Sequence, residues 1–158
     1  MAGCTILTSR RIARIKATLD LIETSESQEH YISLYKVYRR FRIEEAFSAG
    51  VLIPKTEEDR TARLRCFDFL NHYELVAIGF KEGILDEQFY KRWMGWAVLR
   101  DYRQARDLIL AARLPAHPSD PGEPGDVEAY CELEALCIRW GAKSVAQLPT
   151  PLKSGISN

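Results

Sequence analysis

The chain has 158 residues, in which 22 Lys and Arg balance 22 Asp and Glu, and 46% of its residues are apolar. That is one domain by length, long enough to bury a core, with the composition of an ordinary soluble protein. Zero formal net charge leaves no monopole to steer the molecule to nucleic acid or an anionic membrane, and no stretch approaches the roughly 18 uninterrupted apolar residues of a spanning helix.

Met1 to Leu7 is too short for a secretory apolar segment with a cleavage site, so the expected location is the cytoplasm. Thr8-Ser9 has the chemistry to cap a first helix, about residues 9–23, whose Ile12, Ile15, Leu19 and Ile22 recur at three- and four-residue spacing. Arg10, Arg11 and Arg14 sit near its N-terminus, where the helix dipole disfavours cations, so packing gives no reason for them. They read either as a solvated polar face or as a surface for an acidic or phosphate-bearing partner.

Ser25 and Gln28 have capping-box spacing for a second helix, about 26–49. Its Tyr31, Leu34, Tyr35, Tyr38 and Phe41 share one side, as a core stripe would. Beside Arg39, Arg40 and Arg42, the tyrosines also have the composition of an interface hot spot. Gly50 is the expected stop, and Pro54 prevents an immediate restart.

Thr56 followed by Glu57, Glu58 and Asp59 opens a third helix, about 57–81. Asn71 and Glu74 fall within its apolar stripe of Phe67, Leu70, Ala77 and Ile78. A carboxylate there needs a donor, and Arg100, Arg103 and Arg106 of the next helix are the expected partners in a structural ion pair. Gly83 suits a left-handed C-cap and Asp86 caps a fourth helix, about 86–112, whose Phe89, Tyr90, Trp93 and Trp96 read as core. The short connection makes helices three and four an antiparallel hairpin. Prolines and glycines at 114–125 break the helix, Asp126 caps a fifth at about 126–140, and the tail, 147–158, reads as loosely attached. The expected fold is all-α, a single compact bundle of about five helices built on that long central hairpin, spanning 1–158.

The run Phe67-Asp68-Phe69-Leu70-Asn71-His72-Tyr73-Glu74, then Gly79, Gly83, Ile84-Leu85-Asp86-Glu87, an aromatic-rich helix ending in Ala112-Arg113, and Tyr130 to Trp140 resemble a widespread bacterial and phage family known only as a domain of unknown function. The resemblance covers roughly Arg60 to Trp140 and implies an all-helical fold with no assigned activity. A phage-encoded member would work in the host cytoplasm. Many relatives carry an apolar membrane helix at the N-terminus, and this chain departs there.

Cys4, Cys66, Cys131 and Cys137 lack close Cys-x-x-Cys pairs and read as free thiols in a reducing compartment. His30, His72 and His117 are scattered singly, so no metal or cofactor is expected. The chain has no Gly-rich phosphate loop, nucleophile elbow or His-Glu-x-x-His helix. The first reading is therefore a non-catalytic helical protein that binds another protein, as a small regulator or inhibitor of a larger complex. The alternative is a nucleic-acid-binding accessory protein using the N-terminal arginines, which zero net charge does not favour, and the third is an enzyme with a small pocket around Glu74. No membrane partner is expected, and the pattern sets no oligomeric state.

Overall fold

The computed structural model describes residues 2–45, 47, 52–114 and 125–149. Among these there are six α-helices and no strand: α1 Ala2–Ser27, α2 Glu29–Arg40, α3 Glu57–Lys81, α4 Glu87–Gln104, α5 Arg106–Arg113 and α6 Cys131–Arg139. A π-helical segment, Phe41–Glu45, continues α2, and a single 3-10 turn, Val145–Gln147, follows α6. The expected stop at Gly50, the loop at 115–124 and the tail at 150–158 lie outside the described residues.

The all-α class stands, with several boundaries corrected. α1 begins at Ala2 rather than near Thr8-Ser9 and runs through Gly3, with no proline in residues 2–8 to stop it. It also runs through the expected break: the Ser25 hydroxyl donates to the Leu21 carbonyl, 2.8 Å, one turn back, instead of capping a new helix. Gln28, in an extended conformation and with no side-chain cap, is the single residue that separates α1 from α2. The expected fourth helix is two, α4 and α5, parted at Ala105, where neither glycine nor proline marks the break. The last helix starts at Cys131 because Asp126 accepts from the Glu128 amide, 2.9 Å, closing a turn, and Tyr130 then takes a left-handed conformation, φ 60°. The tail is pinned as far as Val145 and Leu148, which are both buried.

The expected local signals hold around α3. Thr56 and Asp59 form a reciprocal capping box. At the other end Gly83 is left-handed, φ 67°, and the amides of Ile84 and Leu85 both reach the Gly79 carbonyl, 2.9 and 3.1 Å. A Cβ at Gly79 would come within 2.6 Å of the Leu85 side chain, which would have to shift to admit it.

The core is aromatic at its centre. Tyr38 packs on Phe69 with ring centroids 4.4 Å apart, and Phe69 meets Tyr73 edge-on at 5.1 Å. α3 has its closest backbone neighbours in α2 and α6, so two of its faces are buried and Cys66, Phe69, Tyr73, Val76 and Phe80 extend the inner surface beyond one stripe. Its contact with α4 runs through long side chains, among them the Phe80–Tyr90 ring pair. Tyr90 is core, but Trp93 and Trp96, also expected inside, are 63% and 74% exposed on the outer side of α4.

α1 docks through one stripe at alternating spacing, Thr18, Leu21 and Ser25. Thr18 is fully buried, and its hydroxyl donates to the Arg14 carbonyl while accepting from the Asp86 amide at the start of α4, 2.9 Å. Thr18→Val keeps the shape but strands that amide, so a loss of about 1–2 kcal/mol is expected in urea unfolding, with Thr18→Ser closer to wild type.

Candidate functional site

The polar centre of the molecule is one that periodicity did not single out. Asp101 is fully buried on the inner face of α4. One carboxylate oxygen accepts from Arg100 Nε at 2.8 Å and lies 3.5 Å from Arg42 Nε; the other accepts from the Tyr73 hydroxyl at 3.1 Å. The Tyr38 hydroxyl donates to the Asp101 carbonyl at 2.7 Å. Both guanidinium groups are mostly buried, with side chains 10% and 22% exposed for Arg42 and Arg100. Burial first, and then the Asp101 charge, hold the Tyr38 and Tyr73 hydroxyls far above the ordinary phenol range, so both stay protonated donors.

Beside this cluster a cleft of about 230 Å³ opens where α1, α2, α3 and α4 meet. Its lining combines the apolar Ile32, Met94 and Ala97 with the polar Glu26, Tyr31, Tyr35, Tyr73, Arg100 and Asp101. Trp96 covers the outer face of Arg100, with the guanidinium carbon 4.7 Å from the ring centroid.

Glu74 has partners other than the expected arginines. Its two oxygens accept from the backbone amides of Glu132 and Leu133, 3.1 and 2.6 Å, at the N-terminus of α6. With Tyr130 left-handed and offering no side-chain cap, Glu74 supplies the cap from α3 across 58 positions of sequence. Desolvation raises the Glu74 pKa, and the two amide bonds oppose that rise without cancelling it. Asn71 is exposed, Arg103 is exposed, Arg100 is on Asp101 and Arg106 is on Asp107, so the expected ion pair is not assembled.

The expected interaction surface divides in the same way. Tyr38 and Arg42 belong to the buried cluster, while Tyr31 and Tyr35 are half-buried against Phe69. Arg39 and Arg40 are exposed, the latter over the Phe41 ring at 4.7 Å. Arg10, Arg11 and Arg14 are exposed, with no ion pair among the described residues. Two acids of α6 are engaged away from these arginines: Glu132 with Lys81, and Glu134 with Arg113, 2.8 Å, and with the Val145 amide, 2.6 Å. Glu128 is exposed, away from these pairs.

Cys66 and Cys137 are buried free thiols, pushed by burial up to about 12, and Cys131 is a free thiol at the surface. Among the described residues no group of three or more His, Cys, Asp and Glu converges as a metal site would, and no helix is long and apolar enough to cross a membrane.

These features define an all-helical protein built round a buried Arg–Asp–Arg cluster with a hydroxyl-edged cleft beside it. The chain belongs to the family described as Domain of unknown function (DUF4760), whose match covers residues 1–140 and so takes in α1 and α2 as well as the Arg60 to Trp140 region. No curated protein and no solved structure matches it.

Proposed function

We propose that the protein acts by binding an acidic surface on another protein, without chemistry of its own, through the outer half of α1. The observation that supports this is the fate of the α1 docking stripe. Thr18, Leu21 and Ser25 seat the helix on the bundle, and the same side one to three turns earlier carries Arg14, Arg11 and Leu7, all exposed. From Ala2 to Thr18 the helix extends about 24 Å, at roughly 1.5 Å per residue. A helix face that continues from a packed contact into solvent with two unpaired arginines and an apolar residue 69% exposed suits a partner offering carboxylates beside an apolar contact.

The same arginines also suit phosphate, and ionic strength separates the two. Reversing Arg10, Arg11 and Arg14 to glutamate is expected to leave the melting temperature of the isolated protein within a degree or two, since no internal partner is lost, and to abolish recovery of the partner by affinity capture and its binding in a direct assay. Loss of stability would show that the charges serve the fold and would overturn the reading. Binding to nucleic acid whose affinity falls steeply and log-linearly with salt would replace it with the phosphate reading.

A further inference from the structure

We infer that the outer face of α4 is a docking surface for an acidic amphipathic helix of a partner protein. The residues that carry it recur at helical spacing: Phe89, Trp93, Trp96, Arg100 and Arg103 follow at intervals of four, three, four and three, and Arg92 lies one turn before Trp96. The row extends about 21 Å, at roughly 1.5 Å per residue. It lies opposite the side of α4 that buries Tyr90, Val98, Asp101 and Tyr102.

The bundle leaves the aromatic part of this row uncovered. Trp93 and Trp96 are largely exposed, whereas the third tryptophan, Trp140, is buried. An indole is among the largest apolar groups a chain can bury, and a solvated helix face gains nothing from two of them one turn apart. Tryptophan and arginine are the residues enriched at the energetic centre of protein interfaces, and an exposed apolar patch rimmed by polar groups marks such a surface.

Charge selects the occupant. The row and Arg92 bring three arginines and no acid: of the two acids on α4, Asp101 is buried on the inner side and Glu87 is held by Arg139 and Trp140. Arg92 and Arg103 are exposed, with no ion pair among the described residues. Arg100 is stacked on Trp96, and Glu26 of α1, which shares the cleft with Arg100, forms no ion pair among the described residues. The occupant therefore brings carboxylates beside an apolar stretch, and a helix does so with side chains at the same three- and four-residue spacing as the row it meets. Single-stranded nucleic acid fits less well, because three arginines neutralise at most about three phosphates and the chain has no net charge to draw in a polyanion. The surface shares no residue with the outer half of α1 and does not depend on what that helix binds.

The test titrates the full chain with a synthetic Leu/Glu/Ala helix of about 20 residues, long enough to persist in water, whose leucines occupy one face over two turns and whose glutamates continue that face. Two control peptides carry lysine for glutamate or have the leucines moved off the face. Anisotropy of the labelled peptide measures affinity, and a blue shift in tryptophan emission places the contact at Trp93 and Trp96, since Trp140 is already buried. Trp93→Ala and Arg103→Glu, both at exposed positions, are each expected to weaken the acidic peptide at least about tenfold with the melting temperature within a degree or two of wild type. The variant with glutamate at Arg10, Arg11 and Arg14 is expected to bind it as wild type does, so that failure of the α1 reading and failure of this one are told apart. No binding of the acidic peptide, equal binding of either control, or unchanged affinity in both Trp93→Ala and Arg103→Glu would overturn the inference. So would tighter binding of oligothymidylate than of the peptide, or self-association of wild type that Trp93→Ala abolishes.

Discussion

Asp101→Ala is expected to be among the most destabilising single substitutions in the chain, at about 3–5 kcal/mol, because it leaves two buried guanidinium groups without their counter-ion. The carboxylate is fully buried, it is the acceptor for Arg100 and the Tyr73 hydroxyl, and one of its oxygens lies 3.5 Å from Arg42 Nε. Truncation therefore strands a donor on each of three elements at once: Arg42 beyond α2, Tyr73 on α3 and Arg100 on α4. Urea unfolding of the variant measures the loss. The identity of the cost is checked by pairing Asp101→Leu with Arg42→Met and Arg100→Met, which removes the stranded cations with the anion and is expected to recover most of the stability. An Asp101→Ala protein within 1 kcal/mol of wild type would show that water reaches the guanidinium groups and that the cluster is not buried in solution.

Glu74→Ala comes next, with an expected loss of about 2 kcal/mol, since it withdraws a cap and leaves the Glu132 and Leu133 amides unpaired at a packed helix end. Glu74→Gln retains one acceptor and is expected to cost less. The pH dependence has a definite sign. Burial raises the pKa of Glu74 in the folded state, so the folded protein holds that proton more tightly than the unfolded chain does. The corresponding stability is present below the unfolded carboxyl range and is lost as pH rises through the raised folded value. The advantage of wild type over Glu74→Gln should therefore shrink from acid towards neutral pH. Glu87 has the opposite sign: desolvation pushes it up, but hydrogen bonds from Arg139 and Trp140 and the Arg139 charge bring it below the ordinary value, so its contribution is lost as pH falls through that lowered value.

The elements that local chemistry controls were legible from residues alone. The Thr56–Asp59 box and the Asp86 cap lie within one turn of the groups they satisfy, and Gly83 had to be left-handed to end α3. Glu74 was legible as an anomaly, a carboxylate in an apolar stripe, but not its partner. That partner is a pair of backbone amides, and a backbone amide has no residue-type signature. Asp101 left a trace that went unused: Val98, Asp101, Ala105 and Leu108 recur at three- and four-residue spacing and are all buried, so the inner face of α4 and α5 passes through the carboxylate. Tyr38 reads from sequence both as core and as interface, because an amphipathic stripe does not say whether its hydroxyl tips end in water or on a buried carbonyl. The start of α1 was not legible because Thr8-Ser9 has the chemistry of a cap, and a possible cap inside a helix looks in sequence like one at its start.

The manner in which α6 is held governs the order of folding. Nine residues make a helix too short to persist alone, and its ends are fastened by Glu74, Lys81 and Glu87, each more than fifty positions earlier in the chain. Closing so long a loop costs conformational entropy before any of these bonds forms. α6 is therefore expected to dock onto a framework assembled from α2, α3 and α4, so that substitutions in α6 speed unfolding more than they slow folding in stopped-flow measurements. Opening α6 would expose Leu133 and Leu136 with the α3 face beneath, and hydrogen exchange in that region is expected to show release of α6 at a lower free energy than global unfolding.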